Sequence, residues 1–170
     1  MLTPAETPSA RDFMNTHVYT VEADASLEEV IKVLKQHRVS NVPVVDRNTN
    51  PPRLLGFLSE ADCLEHLSNE LFYGMPAPQM TAETMMKRHP VCVAPDTNIF
   101  TLASVLVNHR LRHLPVVEGG GLLGIVSRRD VLKALDAYYR EATQRKETAR
   151  RPLDLRQIVS QRFVIHDELH

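Results

Sequence analysis

The chain has no tryptophan, only two cysteines and no long apolar run. A membrane-spanning helix needs roughly 18 consecutive apolar residues, and a secretory signal needs a basic start followed by an apolar core. The sequence offers neither, so we expect a cytoplasmic protein without membrane contact. Two thiols, at Cys63 and Cys92, supply neither a disulfide framework nor a metal cluster, and we interpret both as reduced packing residues.

An excess of charge of either sign is also missing, because the formal net charge is -1 at pH 7. A surface that binds nucleic acid needs clustered lysine and arginine, so no nucleic-acid partner is expected. Among eight histidines, His109 and His113 stand four apart, but a predicted strand begins between them and breaks the helical spacing. We expect no metal and no required cofactor. The sequence has no nucleophile motif, phosphate-binding loop or dinucleotide fingerprint, and we therefore expect no enzyme.

What the chain does contain is an internal repeat. The block HRVSNVPVVD (37–46) corresponds to HRLRHLPVVE (109–118), and a shift of 72 residues also pairs Met14 with Met86. After these blocks the shift falls to 68, so that LLGFLSEADCLEHL (54–67) matches LLGIVSRRDVLKAL (122–135). The first copy simply has four more residues in its turn, RNTNPPR against GGG.

Each copy changes its periodicity in the order strand, helix, strand, strand, helix. Ser26 and Glu29 form a capping-box pattern before an apolar helical face, and the Val-rich blocks that follow are typical of buried strands. A copy of about 55 residues is too small to bury both faces of its own sheet, so the two copies must pack together. We divide the chain into a first repeat with its N-terminal segment, a linker, a second repeat, and a charged C-terminal helix and tail: 1–69, 70–82, 83–137 and 138–170.

Two features occur twice after a Met-x-x-His: a strand of the type apolar-x-Pro-Val-Val-acidic, and a segment of the type Gly-apolar-apolar-Ser-x-x-Asp. This pattern resembles a tandem pair of CBS domains, the Bateman module, over roughly residues 10–137. The resemblance implies an α/β (α+β) fold in which two β-α-β-β-α repeats pack as a pseudo-two-fold pair. Their sheets would face each other and leave two clefts. In the family such clefts commonly bind AMP, ADP, ATP or S-adenosylmethionine.

The resemblance also implies roles for single residues. In each Ser-x-x-Asp the aspartate would hold the ribose hydroxyls and the serine would approach phosphate, as Asp62 with Ser59 and Asp130 with Ser127. Backbone near the first strand of each repeat would hold the adenine, at Thr20 and Val21 or at Cys92 and Val93. A carboxylate at a helix start suits two vicinal hydroxyls, and the free N–H groups of that turn favour phosphate. The alternative is that both aspartates only cap their helices.

The second copy is the more basic one. Arg110, Arg112 and His113 precede its proline, and Arg128 and Arg129 precede Asp130. A charge pair at about 4 Å is worth on the order of 1 kcal/mol in water-like surroundings and about 4 kcal/mol at a surface of lower effective dielectric. We therefore expect the main nucleotide site at Asp130, and a site at Asp62 that is weaker, empty or suited to a less charged ligand. For Arg128 and Arg129 the alternative is a solvated first helical turn.

The resulting hypothesis is a regulatory CBS-pair protein that binds AMP, ADP or ATP, forms a homodimer, and signals to a separate, unidentified protein by a change in shape or association. One alternative is an interaction scaffold whose clefts bind no nucleotide, and another is a sensor for S-adenosylmethionine or a magnesium-nucleotide complex. For the tail, three roles stay open: packing on its own module, tying a dimer together, or contacting the regulated partner.

Overall fold

The computed structural model describes residues 7–73 and 80–150, with side chains described as far as Arg145. The first repeat contains, in chain order, α1 (Ala10–Phe13), β1 (Val21–Glu22), α2 (Leu27–His37), β2 (Asn41–Asp46), β3 (Arg53–Ser59) and α3 (Glu60–Tyr73). The second repeat contains α4 (Ala82–Met85), β4 (Lys87–Arg88), α5 (Ile99–Asn108), β5 (His113–Glu118), β6 (Gly121–Ser127) and α6 (Arg128–Arg150). The predicted α+β class is confirmed. Within the described ranges no helix is both long and apolar enough to cross a membrane.

Each repeat is built on one antiparallel hairpin, β2–β3 in the first and β5–β6 in the second. Both hairpins have a bulge at the same place, between Val44 and Val45 and between Val116 and Val117. Where two facing sheets were expected, a pair between Arg53 and Gly121 joins the hairpins edge to edge. The result is one six-stranded sheet in the order β1-β2-β3-β6-β5, with β4 paired to β3.

The leading segment of each repeat docks on the other repeat. In the first repeat, Asn15 bridges Ile125, and the backbone N–H of Ala10 donates to the carbonyl of Thr97 at 2.9 Å. In the second, Lys87 pairs with Phe57, and the N–H of Ala82 donates to the carbonyl of Ala25 at 2.7 Å. The two repeats are therefore tied together by exchanged segments as well as by the sheet.

Two hydrophobic clusters form the core, one in each repeat. The first packs Val30, Val42 and Leu58 against Met85 of the exchanged segment. The second packs residues that include Leu102, Leu114 and Val126 against Ala10 of the other exchanged segment. A buried aliphatic side chain of this size contributes about 1.5–3 kcal/mol. Each cluster is completed only when the other repeat supplies its segment.

Helix α2 begins at the predicted capping box. The N–H of Glu29 donates to Ser26 Oγ at 3.2 Å, and the Glu29 carboxylate accepts from the N–H of Ser26 at 2.8 Å. The buried residues Leu27, Val30 and Leu34 form the apolar face that the spacing predicts. Cys63 is buried as expected, but Cys92 is exposed, so only the first thiol is a packing residue.

The end of α3 and the helix α6 need separate description, because the first differs from the sequence-based prediction and the second continues beyond the second repeat. Residues 70–73, which we assigned to a linker, continue α3 as far as Tyr73, because their Glu, Leu, Phe and Tyr side chains do not interrupt a helix. The chain divides after Leu135, within α6; further along that helix Arg140 forms an ion pair with Asp136 at 3.0 Å. The end of the charged tail, from residue 151 onwards, lies outside the described residues, and so do the roles that we left open for it.

Candidate functional site

Two cavities open where the two repeats meet. We call the first the Asp130 cleft; its volume is about 510 Å³. Its lining residues are Asn15, His17, Val18, Tyr19, Arg38, Val39, Ser40, Asn41, His113, Ile125, Ser127, Arg129 and Asp130.

We call the second the Asp62 cleft; its volume is about 690 Å³. Its lining residues are Ser40, Asn41, Phe57, Ser59, Glu60, Ala61, Asp62, Leu64, Lys87, Arg110, Leu111, Arg112 and His113. The repeat relates the two linings, since Arg38 corresponds to Arg110 and Asn15 corresponds to Lys87. The clefts are pseudo-two-fold copies with different side chains.

Both aspartates cap the helices to which they belong, each from the third position of its helix and together with the serine that precedes the helix. Asp130 Oδ2 accepts from the N–H of Ser127 at 2.9 Å, and the N–H of Asp130 donates to Ser127 Oγ at 3.2 Å. Asp62 makes the same reciprocal bonds with Ser59, at 2.8 and 3.3 Å. The capping interpretation of these residues is therefore correct, and it does not remove a binding role. In each case the cap uses Oδ2 and leaves Oδ1 for another partner.

The second carboxylate oxygen distinguishes the two sites. Asp62 Oδ1 lies 2.9 Å from Lys87 Nζ, with the Asp62 side chain only 10% exposed. Burial raises the pKa of Asp62, but hydrogen bonds from Ser59 and Lys87 outweigh this effect and hold the pKa below its ordinary value. Within the part of the chain that the structure describes, no cation pairs with Asp130. Asp130 therefore has a carboxylate oxygen available to a ligand.

The exchanged segment supplies an aromatic side to the Asp130 cleft. Tyr19 stacks on His37, the last residue of α2, with ring centroids 3.6 Å apart and an interplanar angle of 15°. His17 meets the edge of Tyr19 at 5.1 Å. These rings lie beside backbone at Val18, so the segment 17–19 presents both peptide groups and aromatic surface, which suit a flat heterocycle.

Two arginines line each cleft. Arg38 comes from the first repeat and Arg129 from the second, and both line the Asp130 cleft. Arg110 and Arg112 line the Asp62 cleft. Arg38 and Arg110 each follow a helix with a left-handed φ of 53°, so the two arginines occupy equivalent backbone positions at the ends of α2 and α5.

The structure thus regroups the residues that the sequence assigned to a basic site around Asp130. Asp130, Ser127, Arg129 and His113 do line one cleft, but Arg110 and Arg112 lie across the pseudo-two-fold axis, beside Asp62. Arg128 is absent from the lining of both clefts within the described residues. The regrouping follows from the geometry of the pair, because the turn before each Pro-Val-Val strand faces the Ser-x-x-Asp of the other repeat.

The residues predicted to hold adenine lie outside both linings. Thr20 accepts from Arg47, and Val21 is buried and pairs with Val44 in the sheet. Val93 has its N–H and carbonyl engaged with Pro115 and Val117 of β5. Peptide groups that already complete a sheet are not free for a ligand.

Cys92, the remaining residue of that prediction, is exposed and donates to the carbonyl of Pro90 at 3.2 Å. It also lies outside both linings. The cleft-lining backbone is instead found at 17–19, just before β1. The sequence reasoning missed His17, Tyr19, Arg38 and Lys87. The Met-x-x-His that opens each repeat was the available signal, since it marks the exchanged segments that carry Asn15 and Lys87.

Comparison with known proteins agrees with this architecture. A family model described as CBS domain matches residues 10–69 and 82–137. The chain is 31% identical over 121 residues to a 17.7 kDa protein of Acidianus ambivalens, which covers 71% of this chain and 68% of that protein. It is 28% identical over 123 residues to the CBS domain-containing protein YhcV of Bacillus subtilis, which covers 72% of this chain and 82% of that protein.

A solved structure is similar in fold and sequence. The crystal structure of CBSX2 in complex with AMP has a TM-score of 0.67 and 28% identity, and covers 77% of this chain and 98% of that chain; CBSX2 is a CBS-pair protein of Arabidopsis thaliana. The two family matches span more than half of the chain and fall on two repeats that exchange their leading segments. This chain therefore belongs to the CBS-domain family and contains a tandem CBS pair.

Proposed function

We propose that the protein is a regulatory sensor that binds an adenine nucleotide, AMP, ADP or ATP, in the Asp130 cleft. The observation that carries the proposal is the Asp130 carboxylate, whose Oδ1 has no cation partner among the described residues. A carboxylate with one free oxygen at a helix start can accept hydrogen bonds from both hydroxyls of a ribose. The complex of CBSX2 with AMP supports the same ligand class.

Other groups of the cleft fit the rest of such a ligand. The segment 17–19 offers peptide groups and the Tyr19 ring for the base. Arg38 and Arg129 offer guanidinium groups for phosphate. A guanidinium group can bind a phosphate through two parallel hydrogen bonds. Ser127, which lines the same cleft, lies at the start of α6, where N–H groups favour an anion.

The response would be a shift between two arrangements of the repeats. Arg38 belongs to the first repeat and Arg129 to the second, so a phosphate held by both would draw the repeats together. A ligand moves such an equilibrium only by its difference in affinity for the two states. We propose that a separate protein reads the change, and that the protein acts through binding and not through turnover of the nucleotide.

A homodimer is the second part of the proposal. Leu67, Leu71 and Phe72 form one face of α3, and Leu71 and Phe72 are 76% and 83% exposed. Leu132 on α6 is 68% exposed and corresponds to Leu64, which is 66% exposed. Because the repeat places an exposed leucine at the same position of both helices, a second copy can bury the two surfaces at once through an isologous contact.

The proposal is tested by thermal unfolding with AMP, ADP, ATP and S-adenosylmethionine. A ligand at about 100 times its dissociation constant adds roughly 2.7 kcal/mol, which raises the Tm of a chain of this size by about 5–10 °C. Asp130→Ala should abolish the ligand-induced shift. Asp62→Ala is the matched control, since it removes the corresponding cap from the other repeat and should keep most of the shift.

The remaining outcomes separate the alternatives. No shift with any of the four ligands would favour a scaffold whose clefts bind no nucleotide. A shift with S-adenosylmethionine but not with the nucleotides would favour a site that does not need phosphate. A shift that survives Asp130→Ala and disappears with Asp62→Ala would overturn our assignment of the nucleotide to the Asp130 cleft.

A further inference from the structure

The two clefts have different side chains at one pair of equivalent positions in the repeats, Lys87 and Asn15. Lys87 pairs with Phe57 of β3, and Asn15 bridges Ile125 of β6. Phe57 and Ile125 are equivalent, as are Lys87 and Asn15. A lysine therefore stands beside one aspartate where an asparagine stands beside the other.

Lys87 completes the coordination of Asp62. Oδ2 of Asp62 accepts from both the N–H and the Oγ of Ser59, and Oδ1 accepts from Lys87 Nζ at 2.9 Å. With the carboxylate almost buried, a ribose could bind only by displacing the ammonium group, and a buried carboxylate that loses its cation is costly. Asn15 makes no such contact with Asp130, because its Oδ1 accepts from the N–H of His17 at 2.9 Å.

The Asp62 cleft is nevertheless suited to an anion. Lys87, Arg110 and Arg112 face two carboxylates, Glu60 and Asp62, so the lining carries an excess of one positive charge. An ammonium group has three donors, and the Lys87 side chain is 74% exposed, so donors beyond the one used by Asp62 remain. Neither arginine forms an ion pair with another described residue.

We infer that the two clefts take different ligands, and that Lys87 is the residue that determines the difference. The Asp130 cleft selects a nucleoside through its ribose, while the Asp62 cleft rejects the ribose and takes a small phosphate-bearing anion between Lys87, Arg110 and Arg112. The nucleotide half of this inference rests on the proposed function. The anion half depends only on residues of the Asp62 cleft.

The prediction that only the Asp130 cleft binds a nucleotide is tested by exchanging Lys87 and Asn15. The number of AMP molecules bound is measured by calorimetric titration. Wild type should bind one AMP per chain. Lys87→Asn frees Asp62 and should raise the number to two, while Asn15→Lys places an ammonium group beside Asp130 and should reduce it to none. Thermal melts of both variants without ligand show whether they are folded, and Lys87→Met provides a second variant without the ammonium group.

Inorganic pyrophosphate tests the anion half in protein saturated with AMP. Wild type should bind it, and Arg110→Gly should weaken binding about tenfold, as expected for loss of one charge-assisted hydrogen bond. In Lys87→Asn, where AMP also occupies the Asp62 cleft, pyrophosphate should no longer bind. Glycine is tolerated at Arg110, where φ is 53°.

These outcomes separate the inference from the proposed function. If wild type binds no nucleotide, the proposed function fails, while pyrophosphate binding that depends on Lys87 and Arg110 still supports the anion site. Two AMP molecules bound to wild type with similar affinity would overturn the inference. So would pyrophosphate affinity that neither Lys87→Asn nor Arg110→Gly changes.

Discussion

Asn41 and His113, equivalent residues of the two repeats, contact each other across the pseudo-two-fold axis, with Asn41 Nδ2 2.5 Å from His113 Nδ1. Both side chains line both clefts. The amide nitrogen is a donor, so Nδ1 must accept, which requires a neutral imidazole with its proton on Nε2. One hydrogen bond therefore forms a wall shared by the two candidate ligand sites, and its integrity depends on the protonation of His113.

The stability of the protein should depend on pH through His113. Burial lowers the pKa of His113; the Asp130 carboxylate opposes this effect, and Arg112 and Arg128 reinforce it. A histidine with a lowered pKa binds its proton more readily in the unfolded chain, so its contribution to stability is present above about pH 6.5 and is lost as the pH falls towards the folded pKa. We expect the Tm to fall between pH 7.5 and pH 5.5.

His113→Gln provides the comparison. Its amide oxygen can accept from Asn41 and does not titrate, so the variant should lose less Tm than wild type over the same pH range. The other histidines are unchanged in the variant, and the difference between the two curves therefore isolates His113. If the Tm of wild type and that of His113→Gln fell in parallel with pH, protonation of His113 would not contribute to the pH dependence of stability.

The ion pair between Lys87 and Asp62 should stabilise the fold at neutral pH. Lys87→Met leaves a nearly buried carboxylate without its cation, and we expect a loss of about 1 kcal/mol in the free energy of unfolding at pH 7. Because the pKa of Asp62 is lowered in the folded protein, this contribution is present above the ordinary aspartate pKa and disappears as the pH falls below it. The stabilities of the two proteins should therefore converge as the pH falls below the pKa of an ordinary aspartate.

Arg88 is the matched control for this measurement. It lies beside Lys87 on β4 and pairs with Glu83 at 3.2 Å, with both side chains 56% exposed. Exposed pairs contribute little, so Arg88→Met should cost no more than a few tenths of a kcal/mol. Urea unfolding of the three proteins would contradict the prediction if the two variants lost equal stability at pH 7.

Much of the fold could be predicted from local sequence. The capping box at Ser26, the alternation of apolar residues and the Val-rich strands each act over a few residues, so they determine the elements without knowledge of their neighbours. The difference of four residues between the two hairpin turns was also predictable. The end of α3 was not, because residues 70–73 have side chains compatible with either a helix or a linker.

The candidate site was only partly predictable, because it is assembled from both repeats. The sequence repeat shows that Arg38 is equivalent to Arg110, but it does not show which repeat each arginine faces. That depends on the exchange of the leading segments, which is decided by long-range packing of Ala10 and Ala82 against the opposite repeat. The capped aspartates were found because their signal is local, whereas the pairing of Lys87 with Asp62 required the tertiary structure.

The docking of the exchanged segments should be sensitive to Gly124. A Cβ there would lie 2.8 Å from the carbonyl oxygen of Asn15 and 3.0 Å from Met14 Sδ. Since a backbone atom cannot move aside as a flexible side chain can, we expect Gly124→Ala to cost about 1–3 kcal/mol. It should also weaken nucleotide binding, because Asn15 lines the Asp130 cleft.

Gly120→Ala separates this steric effect from backbone strain. Gly120 has a φ of 85°, and a Cβ added there would meet no atom of the described residues within 4 Å, so alanine should cost about 1 kcal/mol through strain alone. Its nucleotide affinity should equal that of wild type. Equal affinities in Gly124→Ala and Gly120→Ala would show that the exchanged segment does not shape the nucleotide site.

The apolar face of α3 and the corresponding surface of α6 make the oligomeric state testable. Leu71→Glu and Leu132→Glu each place a charge within a patch that a dimer would bury, and an unpaired charge taken out of water costs several kcal/mol. Each variant should therefore convert a wild-type dimer to monomer at micromolar concentration, as measured by sedimentation velocity. Val107→Glu is the control, since Val107 is 70% exposed on α5 and lies outside these surfaces; its mass should match wild type. No other pair of described helices presents equivalent exposed leucines from both repeats. A wild type that is monomeric at all concentrations would therefore contradict the isologous contact. A dimer that both leucine variants retain would also contradict it.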